Sequence, residues 1–219
     1  MIDFLFSMIG KFLGYGAVSA LSGAILYANL PTRLTIGAVA PTVSYLAGSK
    51  LKLIQQEKDA LTVPVIEASE LFKKSPALVM AVRRPGCMLC RREAADLSTL
   101  KEELDKKGIQ LFAVVHEFKG VNEFKPFFKG DVYFDEEKRF YGPNQRWLPV
   151  WMGFLRFDTY KNIYRAKKQG VEGNMEGEGR LLGGVYFING DEMPYAHLEK
   201  SWGDAADVAE VLAAIKKFN

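Results

Sequence analysis

Residues 77–90 run Ala77-Leu78-Val79-Met80-Ala81-Val82, then Arg83-Arg84-Pro85-Gly86, then Cys87-Met88-Leu89-Cys90. The first six are an unbroken apolar run, the length and composition of a strand buried on both faces. Four residues that interrupt such a run follow, with Pro85 and Gly86 as the breakers. The two cysteines come at once, and from there the pattern changes period. Cys90, Ala94, Leu97, Leu100 and Leu104 recur at spacings of three and four, while Arg91, Arg92, Glu93, Lys101 and Glu102 occupy the other face. This predicts a helix over residues 87–107, ended by Gly108 as a C-terminal glycine.

Outward from this junction the signals stay regular. Residues 109–115 are a second apolar strand, so residues 77–115 form a β-α-β unit, parallel with a right-handed crossover. Before it lie a short apolar piece at 63–66 and a short helix at 67–74. After it come a helix near 121–128, a strand at 131–134 and a short helix opened by Asp135. Residues 146–168 are aromatic, basic and helical in pattern; 170–180 form a loop rich in glycine and glutamate. A strand at 183–189, a turn at Asn189-Gly190-Asp191 and a returning strand at 195–198 make a hairpin. Asp204 is expected to cap a closing helix at 205–217. This order is that of an α/β, thioredoxin-like fold with an insertion before the last hairpin.

The polar run Lys50, Lys52, Gln55, Gln56, Glu57, Lys58 and Asp59 reads as a linker. The chain then divides into an apolar N-terminal segment at 1–50, a linker at 51–60 and the thioredoxin-like domain at 61–219. From Phe12 to Thr32 no residue is formally charged, a stretch long enough for a bilayer core of about 30 Å. Gly14, Gly16, Ser19, Ser22 and Gly23 make it only moderately hydrophobic. A membrane anchor, an appendage packed on the domain and a cleaved signal peptide all fit, the last least well because Asp3 offsets Lys11. If the segment spans, the cations after it hold the domain in the cytosol.

Composition narrows the function. Hydrophobic residues make up 48% of the 219 and the net charge is +3, so nothing global selects nucleic acid as a partner. Two cysteines cannot form a scaffold of distant disulfides; a lone C-x-x-C points to a reducing compartment and to redox or metal chemistry. Zinc would need further ligands, and His116 and His197 lie far apart in the chain. Cys87 at the mouth of a helix is favoured as a thiolate by the dipole and by Arg83, Arg84, Arg91 and Arg92. Cys90 shares the apolar stripe. The expectation is therefore a solvent-reachable, attacking Cys87 and a buried, resolving Cys90. A bound organic cofactor or metal is not required.

Three other features are read blandly. The loop at 170–180 is a mobile segment near the site and not a phosphate loop, since Glu172, Glu176 and Glu178 would repel phosphate. The stripe of Trp147, Trp151, Phe154, Phe157 and Tyr160 is read as the insertion's core in preference to a membrane-contacting face. His116 is read as a surface histidine.

Arg83-Arg84-Pro85-Gly86-Cys87-Met88-Leu89-Cys90-Arg91, with Glu93-Ala94-Ala95-Asp96-Leu97-Ser98, resembles the motif of the peroxiredoxin-like 2 family, specifically its 2A, redox-regulatory branch. Phe128-Lys129-Gly130, Phe140-Tyr141-Gly142-Pro143 and Gly173-Asn174-Met175-Glu176-Gly177-Glu178-Gly179 match as well. The resemblance implies an AhpC/TSA-type thioredoxin-like fold and an antioxidant or redox-regulatory role in the cytoplasm, with secretion in animal relatives. It implies a nucleophile at Cys87, a position that some relatives fill with selenocysteine. A thioredoxin-type reductant and a small peroxide or protein disulfide substrate would follow. A sister branch reduces a prostaglandin endoperoxide; a third role is that of a non-catalytic, redox-sensing partner. This chain departs from true peroxiredoxins in carrying Arg84 where their threonine stands, and from thioredoxins in carrying Gly183-Gly184 where their cis-proline stands.

Overall fold

The computed structural model describes residues 2–55 and 63–217, with side chains from residue 14 onward. The linker expected at 51–60 therefore lies partly outside the described residues. Seven strands form one sheet: β1 (Lys50–Leu53), β2 (Val65–Glu67), β3 (Ala77–Val82), β4 (Gln110–Val115), β5 (Asp131–Asp135), β6 (Gly184–Asn189) and β7 (Glu192–Leu198), in the order β2-β1-β5-β4-β3-β6-β7. β3, β4 and β5 are parallel, while β6 and β7 add antiparallel on one side and β1 and β2 on the other. The apolar run that opened the sequence argument is thus a central strand. Its alternation fills two cores: Leu78, Met80 and Val82 on one face, Ala77, Val79 and Ala81 on the other.

The helices are α1 (Ile2–Ala28), α2 (Thr32–Thr35), α3 (Val43–Ala47), α4 (Ser69–Phe72), α5 (Met88–Ser98), α6 (Lys101–Lys106), α7 (Val121–Phe124), α8 (Val150–Leu155), α9 (Phe157–Lys168) and α10 (Val208–Lys216). The single helix expected over 87–107 is two. Ser98 Oγ donates to Ala94 O at 2.7 Å and Thr99 Oγ1 to Asp96 O at 2.6 Å, and hydroxyls that bond back in this way compete with the helical ladder. Gly108 follows α6 at φ +64°, as a C-terminal glycine should. The closing helix starts later than expected. Asp207 Oδ1 accepts from the amides of Ala209 and Glu210, whereas Asp204 is occupied with His197 and the Lys200 amide.

Two expectations about the first sixty residues are corrected. Lys50-Leu51-Lys52-Leu53 is not linker but strand β1, paired with β5 and β2, and its period-two alternation buries Leu51 completely. The segment before it also belongs to the domain, because Val43 and Leu46 sit in the second core with Phe72 and Tyr141. Removing residues 1–50 would therefore strip part of that core. Among the described residues no helix is long and apolar enough to cross a membrane. The C-terminal end of α1 is instead fastened to the junction of α8 and α9. There Asn29 Nδ2 donates to Leu155 O at 2.8 Å, Asn29 Oδ1 accepts from the Phe157 amide at 3.1 Å, and Arg156 donates to Leu30 O at 3.0 Å.

The aromatic stripe of the insertion is not its core. Trp147, Trp151, Phe154, Phe157 and Tyr160 are all exposed, and the inward side of α9 is Thr159, Asn162 and Ala166. Helical periodicity marked a face correctly and assigned it to the wrong side.

Candidate active site

The sharp end of β3 decides where the cysteines lie. The Cys87 amide closes a turn onto Arg84 O at 3.1 Å, and Cys87 O accepts the first bond of α5 from the Arg91 amide at 3.0 Å. Cys87 is thus the N-cap of α5, with an extended backbone (φ −78°, ψ 131°), and Cys90 sits one turn on. Both are free thiols. Cys90 is 4% exposed, as its stripe requires. Cys87 is 5% exposed, and here the expectation of a solvent-open sulfur fails. Its reason is the loop at 170–180, which crosses the helix mouth so closely that a Cβ on Gly173 would lie 2.2 Å from the Met88 nitrogen.

That loop is stitched down by the arginines. Arg84 donates to Met175 O at 3.0 Å, Arg91 to Glu172 O at 3.1 Å, and the Asn174 amide reaches Gly86 O at 2.8 Å. Glu117 accepts the Glu178 amide at 3.0 Å. Arg91 also bonds Pro85 O and lies over the Phe127 ring, and Arg92 pairs with Asp96 at 3.7 Å. The four arginines expected to share one electrostatic task therefore divide. Arg83 touches the sulfur, Arg84 adds charge and ties the loop, Arg91 ties the loop, and Arg92 is paired with Asp96.

Arg83 donates to Cys87 Sγ at 3.3 Å and, through Nε, to Glu199 Oε1 at 3.0 Å. Glu199 is fixed in turn by the amides of Gly183 at 2.7 Å and Gly203 at 2.9 Å. Arg83 also donates to Gly179 O at 3.2 Å, and His116 Nε2 bonds Arg83 O at 2.8 Å. Every side of this guanidinium is thus directed. The Cys90 side chain hydrogen-bonded to Cys87, then the charges of Arg83 and Arg84 and the Leu89 amide, hold the Cys87 thiol well below its ordinary range against the opposing effect of burial. The same hydrogen bond, with burial, pushes Cys90 well above it. The two thiols are thus pushed in opposite directions, Cys87 toward the thiolate and Cys90 away from it.

Cys87 forms part of the wall of a cavity of about 420 Å³, whose lining includes the apolar Met88, Leu89, Val150, Phe154, Ile163 and Trp202 and the polar Arg83, Arg84, Asn174, Glu178 and Arg180. Among the described residues no cluster of potential metal ligands occurs.

Several supporting residues carried no local signal. Glu199 lies 116 positions from Arg83. Arg146, fully buried, donates to Tyr141 O, Glu199 O and Gly183 O and so frames the strand that meets the site. His116 is buried and not a surface residue; burial first of all pushes its pKa down, and its ring packs edge-on against Tyr141. The pair Gly183-Gly184 was a visible signal. A Cβ on Gly183 would stand 2.1 Å from Ala81 O, so only glycine lets this backbone run beside β3.

Proteins named peroxiredoxin-like 2A match nearly the whole chain. The zebrafish protein (Danio rerio) is 44% identical over 94% of this chain and 95% of its own length; the mouse protein (Mus musculus) is 43% identical over 94% and 93%. The chain belongs to the peroxiredoxin-like 2A family. The model of the AhpC/TSA antioxidant enzyme family matches residues 96–201, a span that begins beyond Cys90. Among solved structures, a cysteine-to-serine mutant of peroxiredoxin 6 from Arenicola marina aligns over 84% of this chain and 73% of its own with a TM-score of 0.51 and 15% identity. The fold of this peroxiredoxin-like 2A chain is thus the thioredoxin-like, AhpC/TSA type, and its family carries a redox, antioxidant role.

Proposed function

We propose that this protein is a thiol oxidoreductase of the reducing compartment that acts on apolar peroxides through Cys87, with Cys90 as resolving thiol. The observation that carries the reading is the Cys87 sulfur held by Arg83 in the wall of a largely apolar cavity. The Cys87 thiolate attacks one oxygen of the O–O bond. That bond breaks, the other oxygen leaves as an alcohol after taking a proton, and Cys87 becomes a sulfenic acid. Cys90 then attacks the sulfenic sulfur, losing its proton; water leaves and a Cys87–Cys90 disulfide forms. A thioredoxin-type dithiol restores both thiols by exchange.

Cys87 is 5% exposed in this reduced form, so a small peroxide reaches it more readily than a folded protein disulfide does; exchange with a thioredoxin-type protein then requires the segment at 170–180 to move off the oxidised pair. The same cavity favours a second reading, reduction of a prostaglandin-type endoperoxide, whose ring O–O bond sits on an apolar frame. The test is consumption of cumene hydroperoxide, hydrogen peroxide, prostaglandin H2 and a model disulfide side by side, with and without thioredoxin. The expected order puts the apolar peroxides ahead of hydrogen peroxide and the disulfide last, with turnover sustained only by thioredoxin. Absence of any consumption that Cys87→Ser removes would leave the non-catalytic, redox-sensing role instead.

A further inference from the structure

We infer that the outer face of α9, together with α8 and the exposed flank of α1, is a docking surface for an anionic lipid bilayer. α9 turns Thr159, Asn162 and Ala166 inward, so its outer face carries Phe157, Tyr160, Lys161, Tyr164 and Lys168 in one stripe at helical spacing. Phe157 and Tyr164 are 68% and 69% exposed, a large unpartnered aromatic surface on a folded domain. α8 continues it with exposed Trp151, on which Tyr27 of α1 stacks at 6.3 Å between ring centroids. The three helices are held together by the Asn29 and Arg156 bonds described above, so this is a fixed face.

Charge selects the occupant. α9 carries Lys161, Arg165, Lys167 and Lys168 against the single acid Asp158, while residues 12–32 carry no formal charge at all. Aromatic rings at one level with cations beside them are the composition of an element that lies in a membrane interface: the rings enter the headgroup boundary and the cations meet lipid phosphates and carboxylates. A second copy of this chain is a poorer partner. A two-fold interface sets the same patch against itself and would bring these cations face to face. No described helix is long and apolar enough to cross a membrane, so the described helices would lie on the bilayer surface and not span it.

The cavity gives the docking a consequence. Phe154 and Tyr160 belong both to the exposed helices and to the cavity wall that holds Cys87, so a bilayer against this face covers the cavity's rim. An apolar peroxide would pass from lipid to the sulfur without crossing water. This consequence rests on the peroxidase reading; the docking does not.

The experiment is flotation of the full chain with vesicles of phosphatidylcholine alone and with phosphatidylserine added. Binding is expected only with phosphatidylserine, and it should weaken as salt rises. Phe157→Ser/Tyr164→Ser and Lys161→Glu/Lys168→Glu should each weaken it by about tenfold or more, with circular dichroism and melting temperature unchanged because all four side chains are exposed. Binding undiminished in both double variants would overturn the assignment of this face. So would absence of binding to phosphatidylserine vesicles, or a stable dimer in sedimentation that the same substitutions dissociate. Because flotation reads no chemistry, its failure and failure of the peroxide assay are separate results.

Discussion

Cys90→Ser is expected to stall the protein after its first chemical step, leaving a mixed disulfide or an over-oxidised sulfur on Cys87 once a peroxide is added. Cys87→Ser should give no covalent species at all. The cause is positional. Cys90 lies one turn along α5 from Cys87, and both are buried, so it meets the sulfenic acid before any outside thiol can. Without it the sulfenic acid waits and climbs toward sulfinic and sulfonic acid. Removing the Cys90 S–H also takes away the largest influence holding Cys87 low, although the serine hydroxyl replaces part of it. Mass spectrometry of both variants after oxidant treatment distinguishes the roles. An adduct on Cys90 in the Cys87→Ser protein would mean that the two sulfurs are assigned the wrong way round.

Arg83→Leu is expected to have the second large effect, on stability and reactivity together. Arg83 and Glu199 form a pair with side chains 3% and 7% exposed. Removing one member of a buried pair leaves the other charged and unpaired, at a cost of about 3–5 kcal/mol. It also removes a guanidinium that donates to Cys87 Sγ, so the Cys87 titration should move up. Glu199→Gln separates the two effects. The glutamine carbonyl still accepts an amide from Gly183 or Gly203, and Arg83 keeps its charge, but its anchor is weaker. Thermal unfolding should show a smaller loss than in Arg83→Leu, while the upward shift of the Cys87 titration remains in part. Equal titrations in the wild-type and Arg83→Leu proteins would remove Arg83 from the chemistry.

The parts of this arrangement that were legible in the sequence are those set by near neighbours. Ala77–Val82 announced itself by six apolar residues and a breaker, and the stripe from Cys90 to Leu97 placed Cys90 inward. The motif around Cys87 and Cys90, together with the glycine-rich segment at 173–179, led to the family. What stayed hidden was set by tertiary packing. Cys87 reads as exposed when only its helix is considered; the loop that covers it comes from far along the chain, its Met175 bonding Arg84 across 91 positions. Glu199 drew no reading from the sequence because the cation that it holds, Arg83, lies 116 positions away. Lys50-Leu51-Lys52-Leu53 did carry a strand's alternation, which its charges disguised as linker. The stripe on α9 shows the limit of periodicity itself, since a one-sided aromatic helix has the same pattern whether the rings face a core or a bilayer.

The most direct measurement is the pH dependence of alkylation at each cysteine of the reduced wild-type protein, followed by peptide mapping. Iodoacetamide is small enough for a cavity of about 420 Å³, and only a thiolate reacts with it. Cys87 should be labelled well before Cys90 at neutral pH. Its rate should rise through a midpoint below the free-thiol value of about 8.5 and stay flat above it, while Cys90 begins to react only at higher pH. Equal rates at the two cysteines, or a Cys87 midpoint at the free-thiol value or above, would contradict the claim that Arg83 and Cys90 hold Cys87 as the thiolate.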